Sequence, residues 1–240
     1  WKVVEPKLSS SITAMQPTHH HYFCKKAFRL SRISRQRRVF LTDFTAFFSD
    51  FGGDESRYSF HSDLTDRSTV VEIGGYTGVD IKAMKARYGD FRVVLFEPIF
   101  YEEARHNLEH LNKVEILPYG VGSSESKIYF VVAGDATRPG DESSGKVGFI
   151  RKFTDVLSEL QLLSVDLLQI NCEGCEWDVL ESVFGDVWRL KRIQVQFHPD
   201  ADFVPDRLGR YAKIQDRLAE THDLVYDFPW IWQMWELKGV

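Results

Sequence analysis

From Thr69 onward, short aliphatic and β-branched runs alternate with segments of helical spacing, and this alternation constrains the fold more than any other feature of the chain. "TVVEIGG" is a β-branched run stopped by glycines, the pattern of a buried strand. "GVDIKAMKARYG" follows with helical spacing at Val79, Met84 and Tyr88 and a terminal glycine. "FRVVLFEP" is a second buried strand. "YEEARHNLEHLN" is a helix with acids in its first turn, where the dipole favours them. "VEILPYG" reads as a third strand, "SKIYFVVAG" as an extra strand, and "DATRPGDESSGKVG" as a long polar loop. Then come a helix ("FTDVLSEL"), a strand ("VDLLQIN"), a helix ("EWDVLESVF") and a strand ("RIQVQFH"). A long amphipathic helix ("DRLGRYAKIQDRLAETH") and two strands, "LVYDF" and "IWQMWEL", end the chain. Strands alternating with helices predict parallel βαβ units with right-handed crossovers. The last connection is too short for a parallel pair. The expected fold is therefore α/β, a mostly parallel sheet closed by a C-terminal antiparallel hairpin strand. Ligands of such sheets bind at the carboxyl ends of the strands, near the switch point.

Residues 1–66 read as an N-terminal extension and 67–240 as the main domain. The extension holds the run His19-His20-His21, which nothing fixes as a metal site and which reads as loop. Lys25, Lys26, Arg29, Arg32, Arg35, Arg37 and Arg38 follow without an acid between them. Lys25, Arg29 and Arg32 share a helical face, read as a solvated surface, with an anionic partner or membrane headgroups as the sharper alternative. "VFLTDFTAFFSDF" is aromatic-rich, and "GGDESRYS" is a polar loop. With 43% hydrophobic and 14% aromatic residues in 240, a full core is possible. A net charge of −5 opposes a dedicated nucleic-acid binder. No run of about 18 apolar residues exists, so no membrane span is expected. The chain begins with Trp1, which suggests a piece of a longer protein with room for an upstream signal or anchor. Cysteines at 24, 172 and 175 are too few for a disulfide framework and fit a reducing, cytoplasmic setting.

Chemistry enters at the first strand-to-helix turn, Glu72-x-Gly74-Gly75-x-x-Gly78. Its glycines let the backbone turn tightly and approach a ligand. The spacing is not that of a dinucleotide binder, and Glu72 would repel a pyrophosphate, which argues against a nicotinamide-dependent oxidoreductase. An acid there suits a cationic ligand such as the amino end of S-adenosylmethionine. Glu97, followed by Pro98, ends strand two, where a carboxylate can accept hydrogen bonds from both ribose hydroxyls of a nucleoside. Gly120 and Val121 end strand three and could admit a flat adenine ring against the backbone.

Together these segments resemble the FkbM family of S-adenosylmethionine-dependent methyltransferases. "VVEIGGYTG" resembles the first methyltransferase motif, and Glu97-Pro98 the second-strand acid. "FTDVLSEL" resembles the family's threonine-rich helix start, and "VDLLQINCEGCEWDVLESV" resembles its Asp-x-Leu-Lys-Ile-Asp-x-Glu-Gly-x-Glu signature. The resemblance runs from about Thr69 to about Leu237. It implies a Rossmann-like class I methyltransferase fold, S-adenosylmethionine as cofactor, and O-methylation of a small molecule or sugar. The cofactor residues it implies are Glu72, Gly74, Gly75, Gly78, Glu97, Pro98, Gly120, Val121 and Asn171. Glu173 and His198 are the expected catalytic groups, with turn-fixing the alternative for Glu173 and loop hydrogen bonding for His198. Glu176 is expected to serve the helix dipole. Cys172 and Cys175 occupy variable positions and read as small buried residues, with zinc or redox use as the alternative and no metal site assigned. Trp230, Trp232 and Trp235 read as core, or as a wall of the acceptor pocket. The family's lysine, aspartate and strand-five acid are here Gln169, Asn171 and Gln196. These neutral amides, expected to line the cleft, cannot act as general bases and open the rival reading of an inactive, cofactor-binding scaffold.

Overall fold

The computed structural model describes residues 53–185, 189–198, 201, 203–228 and 231–239. The histidine run, the basic segment, Cys24 and Trp230 lie outside the described residues. A seven-stranded sheet forms from β1 (Thr69–Ile73), β2 (Arg92–Phe96), β3 (Val114–Leu117), β8 (Leu167–Ile170), β9 (Arg192–Val195), β10 (His222–Phe228) and β11 (Trp232–Leu237). Its order is β10-β11-β9-β8-β1-β2-β3. The four pairings that join the five central strands, from β9 to β3, are parallel, and β11 enters antiparallel to both β9 and β10. The sheet is the Rossmann-like class I methyltransferase architecture expected from the sequence, with chain order reversing between β1 and β8.

The two-residue period of the strands divides the core. Val71, Ile73, Val94, Phe96, Leu168, Ile170, Ile193 and Val195 face one side. There they meet α3 (Phe153–Glu159), α4 (Glu176–Ser182) and α5 (Arg207–Thr221) through Phe153, Trp177, Leu180, Ile214 and Leu218. Val70, Val93, Leu95 and Leu167 face the other, against Ile81 and Met84 of α1 (Val79–Tyr88) and Leu108 of α2 (Tyr101–Leu108). Full burial of each such side chain contributes about 1.5–3 kcal/mol. Trp232 and Trp235 are buried core residues, and neither lines the cleft described below.

Two expectations need correction. The boundary at residue 66 falls inside the folded unit. Leu64 is core, Arg57 of a 3-10 turn (Gly53–Tyr58) pairs with Asp80 at 2.6 Å, and Asp63 pairs with Arg192. The "DATRPGDESSGKVG" segment is not a loop. It holds β6 (Arg138–Gly140), a 3-10 turn (Glu142–Ser144) and the start of β7 (Lys146–Lys152). These join β4 (Gly120–Gly122) and β5 (Ser126–Val131) in a second sheet of order β4-β7-β5-β6. Strand three thus breaks at Pro118-Tyr119, and its glycine end belongs to the second sheet. Pairing with β5 overrides the weak strand propensity of this polar, glycine-containing stretch. Gly148 lets β7 settle on the main domain, since a Cβ there would lie 2.9 Å from Pro98 Cβ.

Candidate functional site

A cleft of about 470 Å³ opens at the carboxyl ends of β1, β2 and β8, at the switch point. The turns after these strands form one side, and Ile128, Phe130 and Ile150 of the second sheet form another. Of the sequence-expected residues, Gly74, Glu97, Pro98, Gly120, Val121, Asn171 and Glu173 line it. Glu72, Gly75, Gly78 and His198 do not.

Glu97 is 5% exposed at the end of β2. Its Oε1 accepts the backbone N–H groups of Ile99 (2.8 Å) and Phe100 (3.0 Å), and its Oε2 accepts that of Tyr76 (2.8 Å). Burial raises its pKa, opposed by these N–H groups. A carboxylate has about four acceptor positions, so one remains, on Oε2. The expectation that it grips two ribose hydroxyls is therefore reduced to one acceptor position for a ligand.

Gly74 has φ +80, and a Cβ there would lie 2.0 Å from Asn171 O. This glycine is required by the approach of the β1 and β8 turns to each other. Asn171 lines the cleft, and its Oδ1 is buried with no hydrogen-bond partner. A Cβ at Gly75 would strike Leu95 of β2 and one at Gly78 would strike Leu108 of α2, so these two glycines serve packing of the turn.

Glu72 must be corrected. Strand alternation turns it, with Val70, toward α1 and away from the cleft. Gln169 Nε2 donates to Glu72 Oε1 (3.0 Å) and to Asp80 Oδ2 (2.9 Å), and Gln194 Nε2 donates to Gln169 Oε1 (3.0 Å). Tyr226 OH in turn donates to Gln194 Oε1 (2.9 Å). Glu72, Gln169 and Gln194 are directly opposite on neighbouring strands, so this is a buried polar row across the sheet. Burial and the charge of Asp80 hold the Glu72 carboxyl well above the usual carboxylate range. Gln169 and Gln196 likewise do not line the cleft, contrary to expectation; Asn171 alone of the three amides does.

The turn from β8 into α4 carries the densest chemistry. Glu173 (φ 53) and Gly174 (φ 114) are consecutive left-handed residues. Glu173 is a non-glycine residue in a sparsely populated conformation, which costs about 1–3 kcal/mol and persists where its surroundings fix it. Glu176, fully buried, is more than a partner of the helix dipole. Its Oε2 accepts the Gly174 N–H (2.8 Å), and its Oε1 accepts the His198 N–H (2.8 Å) and lies 3.2 Å from His198 Nδ1. On the other side of the ring, His198 Nε2 is 3.1 Å from Glu173 Oε1, an ion-pair contact without hydrogen-bond alignment. Burial pulls the His198 pKa down, but Glu173 and Glu176 outweigh it and raise it to about 10. The expected histidine base is therefore an imidazolium at neutral pH. It sits behind the cleft wall and orients Glu173, whose side chain is 26% exposed.

Cys172 and Cys175 both line the cleft and are joined as a disulfide, which corrects their reading as incidental small residues. Among the described residues no cluster of three or more histidine, cysteine or acidic side chains could hold a metal ion. Several cleft residues were missed in the sequence. Tyr76 (φ 47) supplies an N–H to Glu97 and stacks edge-on against Phe100 at 4.7 Å. Its place inside the glycine turn was the available signal. Asp178, Phe203 and Arg210 form the far end, with Arg210 held 2.6 Å from Asp178; nothing in local spacing marks them.

No family model and no curated protein matches the chain. Solved structures do. Fibrillarin from Aeropyrum pernix with natively bound S-adenosyl-L-methionine aligns at TM-score 0.41 and 11% identity, covering 72% of this chain and 68% of that one. The N-terminal domain of human METTL16 in complex with SAH aligns at TM-score 0.40 and 12% identity, covering 73% and 64%. A precorrin-6y C5,15-methyltransferase from Geobacter metallireducens aligns at TM-score 0.41 and 13% identity, covering 72% and 74%.

Proposed function

We propose that this chain is an S-adenosylmethionine-dependent methyltransferase that acts on a hydroxyl oxygen of a small molecule or sugar. The observation that carries the reading is the switch-point cleft with Glu97 at the β2 end, one acceptor position still open on Oε2. Asn171 lines the same cleft and carries a buried, unpartnered Oδ1, which we assign to the amino group of the cofactor. S-adenosylmethionine supplies an electrophilic methyl group when bound. The chain's own task is then to hold the acceptor in line and remove its proton.

Glu173 is the group for the proton. It lines the cleft, is partly exposed, and is oriented by His198 from behind. The imidazolium has no free lone pair and acts as a positioning residue. Two of the three amide substitutions that suggested an inactive relative, Gln169 and Gln196, lie away from the cleft, which weakens that rival. The test is transfer of labelled methyl from S-adenosylmethionine to a panel of sugar and small-molecule alcohols. Label in an alcohol acceptor is expected, with Glu173→Gln retaining cofactor binding but losing transfer. Cofactor binding with no transfer to any alcohol would refute the O-methylation reading.

A further inference from the structure

The bridge from Cys172 to Cys175 encloses Glu173 and Gly174, the two consecutive left-handed residues. A covalent restraint across this short loop is one of the forces that can hold Glu173 in its unfavourable conformation. Both cysteines are half-buried and both line the cleft, so the ligand side is the face from which the bridge is approached. A second arrangement is also prepared. Cys172 Sγ lies 3.6 Å from Glu176 Oε2, the oxygen that accepts the Gly174 N–H. In the disulfide that sulfur carries no proton. Once reduced it gains an S–H donor aimed at a buried carboxylate oxygen that the Gly174 N–H leaves with one acceptor position open. The loop therefore has distinct hydrogen-bonding partners in its two redox states.

We propose that Cys172–Cys175 is an exchangeable disulfide, opened from the cleft by a small external dithiol, and that its opening releases Glu173 from His198. A thiolate of the dithiol attacks one Sγ and breaks the S–S bond, forming a mixed disulfide. The second thiol of the reagent displaces the protein sulfur. The dithiol ends as a disulfide, and the two cysteines end as thiols carrying its two protons. Glu176 beside Cys172 disfavours a thiolate there, whereas the His198 imidazolium and the N-terminus of α4 at Cys175 favour one. The consequence of opening for methyl transfer rests on the proposed role of Glu173.

The test uses the full chain. Peptide mapping after maleimide labelling, with and without dithiothreitol, reads the pair directly. Nitrogen-15 spectra of the histidines, titrated with pH in both states, read the His198 environment. Labels at Cys172 and Cys175 are expected only after reduction, with the His198 midpoint falling by about one pH unit or more. A Cys172→Ser, Cys175→Ser double variant is expected to show the lowered midpoint with or without reductant. Labelling of both cysteines without reductant, or a His198 midpoint unchanged by reduction of the wild-type chain, would overturn the proposal. Neither readout involves S-adenosylmethionine, so failure here is separable from failure of the cofactor reading.

Discussion

The charge on His198 makes part of the folding stability depend on pH. Its pKa is raised from 6.5 to about 10, because two carboxylates outweigh the burial that would lower it. Its side chain is 8% exposed, so solvent does little to screen the interaction. At 1.36 kcal/mol per pH unit the rise corresponds to ~5 kcal/mol of folding stability. The sign follows from the native state holding a proton that the unfolded state releases. The contribution is complete below pH 6.5 and is lost as pH rises toward 10. The perturbation is His198→Gln, which keeps a polar side chain but cannot titrate. Urea unfolding is followed for both proteins between pH 6 and 10. The wild-type free energy is expected to hold level with the variant below pH 6.5 and then to fall relative to it by about 1.4 kcal/mol per pH unit toward pH 10. Taking the difference cancels Tyr58, whose pKa is also raised by burial. Parallel pH profiles would refute the claim that His198 is held as an imidazolium between Glu173 and Glu176.

Other expectations follow from the same geometry. Gly74→Ala places a Cβ against Asn171 O at φ +80 and is expected to lower unfolding free energy by about 3 kcal/mol or more, read by denaturant titration. Gln169→Leu removes the amide that donates to Glu72 and Asp80 and is expected to cost about 2–4 kcal/mol in the same assay. Because that amide faces α1, cleft ligand affinity is expected to stay within about twofold; a large affinity loss in a folded variant would contradict the assignment of faces. Glu176→Gln cannot offer acceptors on both former oxygens and is expected to lower the His198 midpoint by about one pH unit or more, read by histidine NMR.

The main sheet was legible because its strands are short β-branched runs stopped by Gly74-Gly75, Glu97-Pro98 and the Asn171 turn. The second sheet was not. Arg138–Gly140 and Gly120–Gly122 are three-residue strands containing proline or glycine; pairing with the preceding β5 makes the first a strand, and pairing with the distant β7 the second. Glu72 was read toward the ligand because it sits beside the glycine turn. Strand alternation gives two faces, but the sequence does not say which one opens into the cleft. The charge on His198 arises from Glu173 and Glu176, which strand pairing and the β8 turn bring to it from more than twenty positions away. Asn171 and Glu97 could be placed from their strand ends alone. That three of Glu97's acceptor positions are consumed by backbone N–H groups could not.

The central claim is that the Glu97 cleft holds S-adenosylmethionine. Calorimetric titration of the chain with S-adenosylmethionine, beside Glu97→Gln checked for folding by its thermal melt, tests it most directly. Saturable binding to the intact chain is expected, weakened about tenfold or more in the folded variant, as loss of a charged hydrogen bond of about 1.5–3 kcal/mol requires. Absence of binding to the intact chain, or equal affinity in both proteins, would contradict it.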